Sequence, residues 1–353
     1  MEKVNQVNFP ALTGVRAVAA FMVYIHHFNP FKTEIFGKNI HYFFDGFHVG
    51  VTLFFVLSGF LIAHRYFDDV DFEFKSYLQK RIARIYPMYF ILTSATFISG
   101  YFLAKSYGGF GTYFLNISFL RGFFDDVKFS GIPQGWTLTV EETFYFLAPL
   151  FFLLIKRNKW MLLLLPICFI LIGFFLVQLF EKSNLHGFMN SINFMLDYTF
   201  FGRVFEFFVG ISLALIVKNE YGFKFKYFTI LGVFGIIVSV YLLSILEPFP
   251  ETDFLLIQKS SINNFFLPVF GILPFFYGLI KEKNLIFKIL SSKYAILLGK
   301  SSYVFYLIHI GFFRSYLELM STNYMFLFLS LNIIAITLYL FLEKPMNSFL
   351  RKI

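Results

Sequence analysis

The sequence has little charge and almost no cysteine. Charged residues make up 14% of its 353 residues, against about 25% in an average soluble domain. The single cysteine, Cys168, excludes a disulfide framework within the chain and a cluster of thiolate metal ligands. No polar stretch is long enough to form a soluble domain, and 58% of the residues are hydrophobic. Residues 1–353 are therefore predicted to form a single integral-membrane domain.

The net charge of +9 would suggest a nucleic-acid partner in a soluble protein. Here the basic residues collect in alternate loops between apolar segments. That distribution is the positive-inside pattern of a membrane protein, so no nucleic-acid partner is expected and membrane lipid is the predicted surrounding.

Ten apolar segments are long enough to approach the roughly 20 residues of a membrane-spanning helix. Because lipid offers no partners for backbone polar groups, the segments are predicted to be helices, which makes the fold an all-α polytopic transmembrane bundle. The segments are 11–29, 47–65, 84–104, 139–155, 160–180, 199–217, 225–246, 262–280, 302–319 and 323–342.

The loops between these segments differ in their content of Lys and Arg. One alternating set of loops and ends holds twenty of these residues, and the other set holds seven. The positive-inside rule then predicts that both termini are cytoplasmic, and an even number of spans requires the same.

Ionisable residues in the first span are candidates for function, because such groups are costly inside a membrane. Arg16 and His27 are eleven residues apart and share one helix face, with a rise of about 16 Å between them. His26 points about 80° away from that face. Taken by itself, His27 is also consistent with a histidine whose hydrogen bonds are satisfied at the membrane interface.

Two adjacent carboxylates, Glu141 and Glu142, follow Trp136 at the outer end of the fourth span. The predicted orientation places them at the depth of His27. A carboxylate beside a histidine fixes its tautomer and supports its protonated form, as general-base catalysis requires. Acidic residues at an exposed helix N-terminus are the alternative interpretation.

Arg81 and Arg84 stand at the cytoplasmic start of the third span, three residues apart and therefore neighbours on a helix face. Paired guanidinium groups suit phosphate, which they bind through bidentate hydrogen bonds. Ordinary positive-inside anchoring is the alternative.

Weaker signals occur in the later spans. Arg203 and Glu206 have the spacing of an intramembrane ion pair, and Tyr306 and His309 lie one helical turn apart. The histidines show no metal-ligand spacing, so no metal is predicted.

Taken in order, several segments resemble the acyltransferase-3 family of membrane-bound acyltransferases. They are LTGVRAVAAFMVYIHH, GVTLFFVLSGFLI, RIARIYPMY, WTLTVEETFYFLAPL, GKSSYVFYLIHI and the final EKP. One such motif is weak, but six in the family's order cover nearly the whole chain. In one departure, Thr52 stands where the family commonly has Asp.

The resemblance implies an O-acyltransferase, with acetyl as the expected group, in a bacterial inner (cytoplasmic) membrane. No appended extracytoplasmic domain is expected. It implies acyl-CoA as co-substrate and a hydroxyl of a cell-surface glycan or lipid-linked sugar as acceptor. His27 corresponds to the catalytic histidine and Arg16 to its partner, which also contacts the donor. Arg81 and Arg84 correspond to the acyl-CoA pair, and Glu141 to the glutamate expected to orient His27. Residues predicted to contact substrate are Trp136, Glu142, Arg203, Tyr306 and His309.

Three alternatives remain at this stage. The first concerns the mechanism, in which His27 either acts as a general base or forms an acyl-histidine intermediate. A transporter or flippase without chemistry accommodates ten spans and buried charge equally well. A regulatory protein that has lost catalysis is the third alternative, against which stand the retained Arg16, His27, Arg81, Arg84 and Glu141.

Overall fold

The computed structural model describes residues 9–103, 108–183, 185–220 and 225–351. Within these ranges the regular secondary structure is helical, apart from one isolated bridge between Phe124 and Phe188, and turns and irregular segments connect the helices. The predicted all-α bundle is confirmed. Both chain ends, residues 1–8 and 352–353, lie outside the described ranges, and the predicted cytoplasmic termini stay a prediction.

Eighteen α-helices are present in the described ranges, and two further segments are π-helical. The helices are α1 (Pro10–His27), α2 (Thr33–Phe36), α3 (Lys38–Asp45), α4 (Gly50–Tyr66), α5 (Phe74–Phe102), α6 (Phe110–Ile117), α7 (Trp136–Arg157), α8 (Met161–Phe180), α9 (Ile192–Tyr198), α10 (Phe200–Lys218), α11 (Phe228–Leu246), α12 (Asp253–Ser261), α13 (Leu273–Lys281), α14 (Leu285–Leu290), α15 (Lys293–Ile308), α16 (Phe312–Glu318), α17 (Tyr324–Leu338) and α18 (Lys344–Leu350). The π-helical segments are Ile262–Ile272 and Tyr339–Glu343.

Seven helical stretches among the described residues are long and apolar enough to cross a membrane. An eighth is α15 with α16, if these two helices, bent by 86°, form one broken span. The helices α1 and α5 do not reach the same standard of length and hydropathy. They carry Arg16 and the pair Arg81 and Arg84, and such residues lower the apolar character of a span. A multi-pass membrane protein is thus supported, and the number of ten spans stays a prediction.

Helix α4 lies at the centre of the bundle and packs closely against α10. A Cβ added at Gly59 of α4 would meet the backbone of Phe207, and one added at Gly210 of α10 would meet the backbone of Val56. Small residues allow helix backbones in a membrane to approach this closely. The contact fixes the side of α4 that is left for α1, α5 and α7, and those helices surround the site.

The connection before α7 is organised by a buried cation, Arg121. Its side chain is 0% exposed and donates to Asn116 Oδ1 at 2.7 Å and to the carbonyl oxygens of Ser130 and Ile132. These bonds satisfy a charged group that would otherwise be costly to bury. They also fix the start of α7, the helix that carries Glu141.

Candidate active site

Five helices, α1, α4, α5, α7 and α15, line a cavity with about 780 Å³ of space not occupied by atoms, including the part open to solvent. Three arginines line it: Arg16 from α1 and the pair Arg81 and Arg84 from α5. The structure therefore brings together the three cations that the sequence analysis singled out. Arg16 lies 65 positions before Arg81 and 68 before Arg84 in the sequence. The three side chains meet because α1 and α5 both line this cavity.

The three guanidinium groups have no ion pair within 4 Å and no hydrogen bond among the described residues. Arg81 is 6% exposed, and its Nε is buried without a hydrogen-bond partner, as is the Nε of Arg16. Arg81 lies 5.9 Å from the ring centres of Tyr66 and Tyr145. The charges of Arg16 and Arg84 repel each other. Buried cations are costly unless they are paired, so this cavity is suited to an anion.

Acidic groups near the arginines do not neutralise them through direct contact. Glu343, at the end of the second π-helical segment, is 8% exposed and its charge acts on Arg84 and Arg16. Its Oε2 has no hydrogen-bond partner among the described residues. The sequence analysis gave Glu343 no role of its own, and the π-helical turn on which it stands has no clear sequence signal.

Glu141 lies in the cavity with the arginines and does not contact His27. Its Oε1 accepts hydrogen bonds from Ser58 Oγ and from the hydroxyl of Tyr145, and these two hydroxyl oxygens are 3.3 Å apart. The expected placement of Glu141 beside His27 is therefore corrected. Glu141 stands five residues into α7, about 7.5 Å from the helix start, and this depth matches the hydroxyl of Ser58 on α4.

Ser58, Tyr145 and Tyr303 line the cavity and were missed in the sequence analysis. A usable signal existed for two of them. Ser58 is one of two hydroxyl residues, with Thr52, in the GVTLFFVLSGFLI motif, and Tyr145 follows Glu141 by one helical turn. Both positions place a hydroxyl on the helix face that the motif residues already define.

His27 ends α1 outside the cavity lining. Its ring centre is 5.6 Å from that of His309 and 4.7 Å from that of His26. Its side chain is exposed. His26 is instead held by a hydrogen bond of 2.5 Å between its Nδ1 and the carbonyl oxygen of Asp45. Arg16 lines the cavity and His27 does not, and the roles predicted for His27 and His26 from their helix faces stay predictions.

Tyr306 connects the arginine cavity to the histidines. It lines the cavity, its hydroxyl is 3.2 Å from Thr137 Oγ1, and its ring centre is 5.5 Å from that of His309. His309 itself is fully buried. Cavity, Tyr306, His309 and His27 therefore follow one another along the bundle.

The remaining residues predicted to contact substrate lie away from the cavity lining. Trp136 packs its ring 4.9 Å from Tyr198. Glu142 has a buried Oε1 without a hydrogen-bond partner among the described residues. Arg203 makes two bonds of 2.7 Å with Glu206 and one of 3.0 Å with Thr52 Oγ1. This geometry is that of a structural ion pair.

No group of three or more His, Cys, Asp or Glu side chains among the described residues is arranged to hold a metal ion. The polar groups that line the cavity are guanidinium, carboxylate and hydroxyl groups.

A family model described as an acyltransferase domain matches residues 9–342. The chain belongs to the acyltransferase-3 family. The match covers nearly the whole sequence, and it confirms the resemblance inferred from the ordered motifs. No solved structure matches the chain.

Three relatives show how far the likeness extends. A protein of Staphylococcus aureus, provisionally named an O-acetyltransferase, is 28% identical over 95% of this chain and 57% of its own length. A provisionally named acetyltransferase of Acidianus two-tailed virus is 32% identical over 43% of this chain and 44% of its own. A provisionally named peptidoglycan O-acetyltransferase of Bacillus subtilis is 26% identical over 40% and 23%. The chain thus spans about half of the first two relatives.

Proposed function

We propose that this acyltransferase moves an acetyl group from acyl-CoA to a hydroxyl of a cell-surface glycan or lipid-linked sugar. The observation that carries the proposal is the cluster of Arg16, Arg81 and Arg84 in one cavity without an ion-pair partner among the described residues. Phosphate groups of CoA supply the charge that such a cluster lacks, through charge-assisted hydrogen bonds. The names of the relatives support acetyl as the transferred group.

The donor enters at the end of the bundle that holds the arginines. Its thioester arm extends past Tyr303 and Tyr306 toward His27. Along α1 the distance from Arg16 to His27 is about 16 Å, a length that an extended thioester arm spans. The apolar part of the cavity wall, which includes Leu57, Leu61 and Ile85, excludes water around the arm.

His27 is the proposed general base. It removes the proton of the acceptor hydroxyl while the oxygen attacks the thioester carbonyl. The carbon–sulfur bond breaks, and the proton passes from His27 to the departing thiolate, so the products are an ester and CoA thiol. In the second variant His27 attacks the thioester carbonyl, the carbon–sulfur bond breaks and CoA leaves as thiolate. The acceptor oxygen then attacks the acyl-histidine, which frees His27, and the hydroxyl proton passes to the thiolate. Neither variant requires a metal.

Glu141 serves the donor end of the cavity in this proposal. Its carboxylate holds Ser58 and Tyr145 in place through two accepted hydrogen bonds. Tyr145 in turn lies against Arg81. Glu141 therefore orients the wall that grips the donor rather than the imidazole of His27.

The proposal also includes the orientation of the bundle in the membrane. Acyl-CoA is made in the cytoplasm, so the arginine end of the bundle faces the cytoplasm and the His27 end faces outward. The excess of basic residues in one set of loops supports this orientation in a bacterial cytoplasmic membrane.

The test is the mass of the host's surface glycans with and without this chain. The proposal predicts a loss of one acetyl unit per modified repeat when the gene is deleted. Restoration by the wild-type chain and not by His27→Ala is also expected. Identical glycan and lipid-linked sugar masses in both strains would contradict the proposal.

A further inference from the structure

His309 stands at the end of α15, where the chain bends by 86° into α16. Its Nδ1 lies 2.7 Å from the carbonyl oxygen of Tyr306. A carbonyl oxygen only accepts hydrogen bonds, so Nδ1 of His309 carries the proton. In the neutral ring, Nε2 then presents a lone pair.

This lone pair is buried and unused. His309 is 0% exposed, and its Nε2 has no hydrogen-bond partner among the described residues. Leaving a buried acceptor unsatisfied costs about 1–3 kcal/mol. A buried acceptor without a partner calls for an explanation, and a donor that reaches it during function is one.

Four rings surround His309, those of Tyr24, His27, Phe305 and Tyr306. The hydroxyl of Tyr306 is engaged elsewhere, 3.2 Å from Thr137 Oγ1. Phe305 stacks on His309 with ring centres 5.9 Å apart and has no polar hydrogen. The ring of Tyr24 is farther away, with its centre 6.3 Å from that of His309, and its hydroxyl is held by a bond from Arg314 at 3.2 Å, while Arg314 also pairs with Glu318. His27 remains, with its ring centre 5.6 Å away and no hydrogen bond among the described residues. A direct bond after a small rotation, or one bridging water, spans this separation.

We propose that His309 is a positioning residue for His27. Its Nε2 accepts the N–H of one nitrogen of His27, which fixes the tautomer and turns the other nitrogen toward the acceptor hydroxyl. This inference rests on the proposed role of His27 as base. No proton moves to His309 in the reaction. When His27 takes the hydroxyl proton, the bond to His309 stabilises the imidazolium until that proton passes to the thiolate.

The arrangement assigns to a histidine the part that the sequence analysis gave to Glu141. Partners of this kind, which hold a histidine through its second nitrogen, raise the basicity of the free nitrogen. A wrong tautomer disables a catalytic histidine although the site is otherwise intact. His309 therefore affects the rate of the chemical step and not the binding of the donor.

The experiment compares His309→Phe, which fills the site without an acceptor, with His309→Gln, which keeps an acceptor oxygen. Diethyl pyrocarbonate labels unprotonated imidazole nitrogens, and peptide mass spectrometry resolves the sites. The exposed His186 serves as internal reference. We expect His309→Phe to slow labelling of His27 and to lower kcat by about tenfold or more at unchanged KM for acyl-CoA. His309→Gln should recover most of both losses.

Unchanged labelling of His27 in His309→Phe would overturn the inference, as would equal losses in the Phe and Gln variants. If His309→Phe does not fold, His309→Leu removes the acceptor in the same way. Labelling does not depend on the reaction. If labelling responds as expected while His27→Ala keeps full transfer activity, the proposed role of His27 as base fails and the contact between the two histidines stands.

Discussion

Replacing Arg81 and Arg84 together by glutamine tests whether the cavity binds the phosphates of the donor. Hydrogen bonds to charged groups contribute about 1.5–3 kcal/mol each, and about 1.4 kcal/mol corresponds to a tenfold change in affinity. The two arginines line one cavity, so the losses of binding free energy on replacing each of them are not additive. We expect acyl-CoA affinity to fall by about 100-fold, the size of one to two lost charged contacts.

The assay is calorimetric titration of purified protein in lipid nanodiscs with CoA and with pantetheine, which keeps the thiol arm and lacks the phosphates. Wild-type protein should prefer CoA, and the double variant should lose that preference while binding pantetheine as before. Arg65→Gln is the matched control, because Arg65 is exposed, lies 5.3 Å from the Tyr66 ring and does not line the cavity.

The stability of the empty protein adds a second readout. Arg16 and Arg84 repel each other in the ligand-free cavity, so the double variant should unfold at the same temperature as the wild type or higher. Unchanged CoA affinity would refute the assignment of the donor site. An equal loss of affinity in Arg65→Gln would show that only the overall charge matters.

Three further predictions concern the histidines, the ion pair and the topology. His27→Ala should abolish transfer without preventing insertion, whereas His26→Ala should keep measurable activity; equal loss in both would remove the argument from helix faces. Arg203→Met should destabilise the fold by about 3–5 kcal/mol by leaving a buried carboxylate unpaired, and adding Glu206→Met should recover much of the thermal stability; loss of substrate binding at unchanged stability would contradict a structural role. A reporter active only outside the cytoplasm should work in the 105–138 loop and fail at the C-terminus; the reverse would overturn the predicted orientation.

Part of the candidate site could be predicted from the sequence because charged residues are rare in membrane-spanning segments. Arginine and histidine are so costly in a span that Arg16, His27, Arg81 and Arg84 stand out without any structure. Helical periodicity also predicts that His27, and not His26, lies on the helix face of Arg16. This prediction needs only the geometry of one helix.

Contacts between helices could not be predicted from the sequence. The partners of Glu141 depend on how α7 is rotated and how deep it sits against α4, which the sequence of either helix leaves undetermined. Ser58 is an inconspicuous residue until that packing is known. Glu343 reaches the arginines through a π-helical turn, and the ninth predicted span is broken at Gly311, where φ is +82°. These features arise from tertiary packing.

The central claim is that acetyl groups pass from a donor bound at the arginines to an acceptor at the His27 end of the bundle. Proteoliposomes of known orientation test it most directly, with labelled acetyl-CoA offered at the arginine face and a glycan acceptor present only at the opposite face. The account predicts labelled glycan in this arrangement and none with Arg81→Gln/Arg84→Gln at the same donor concentration. Product formed only when donor and acceptor share one face would contradict it.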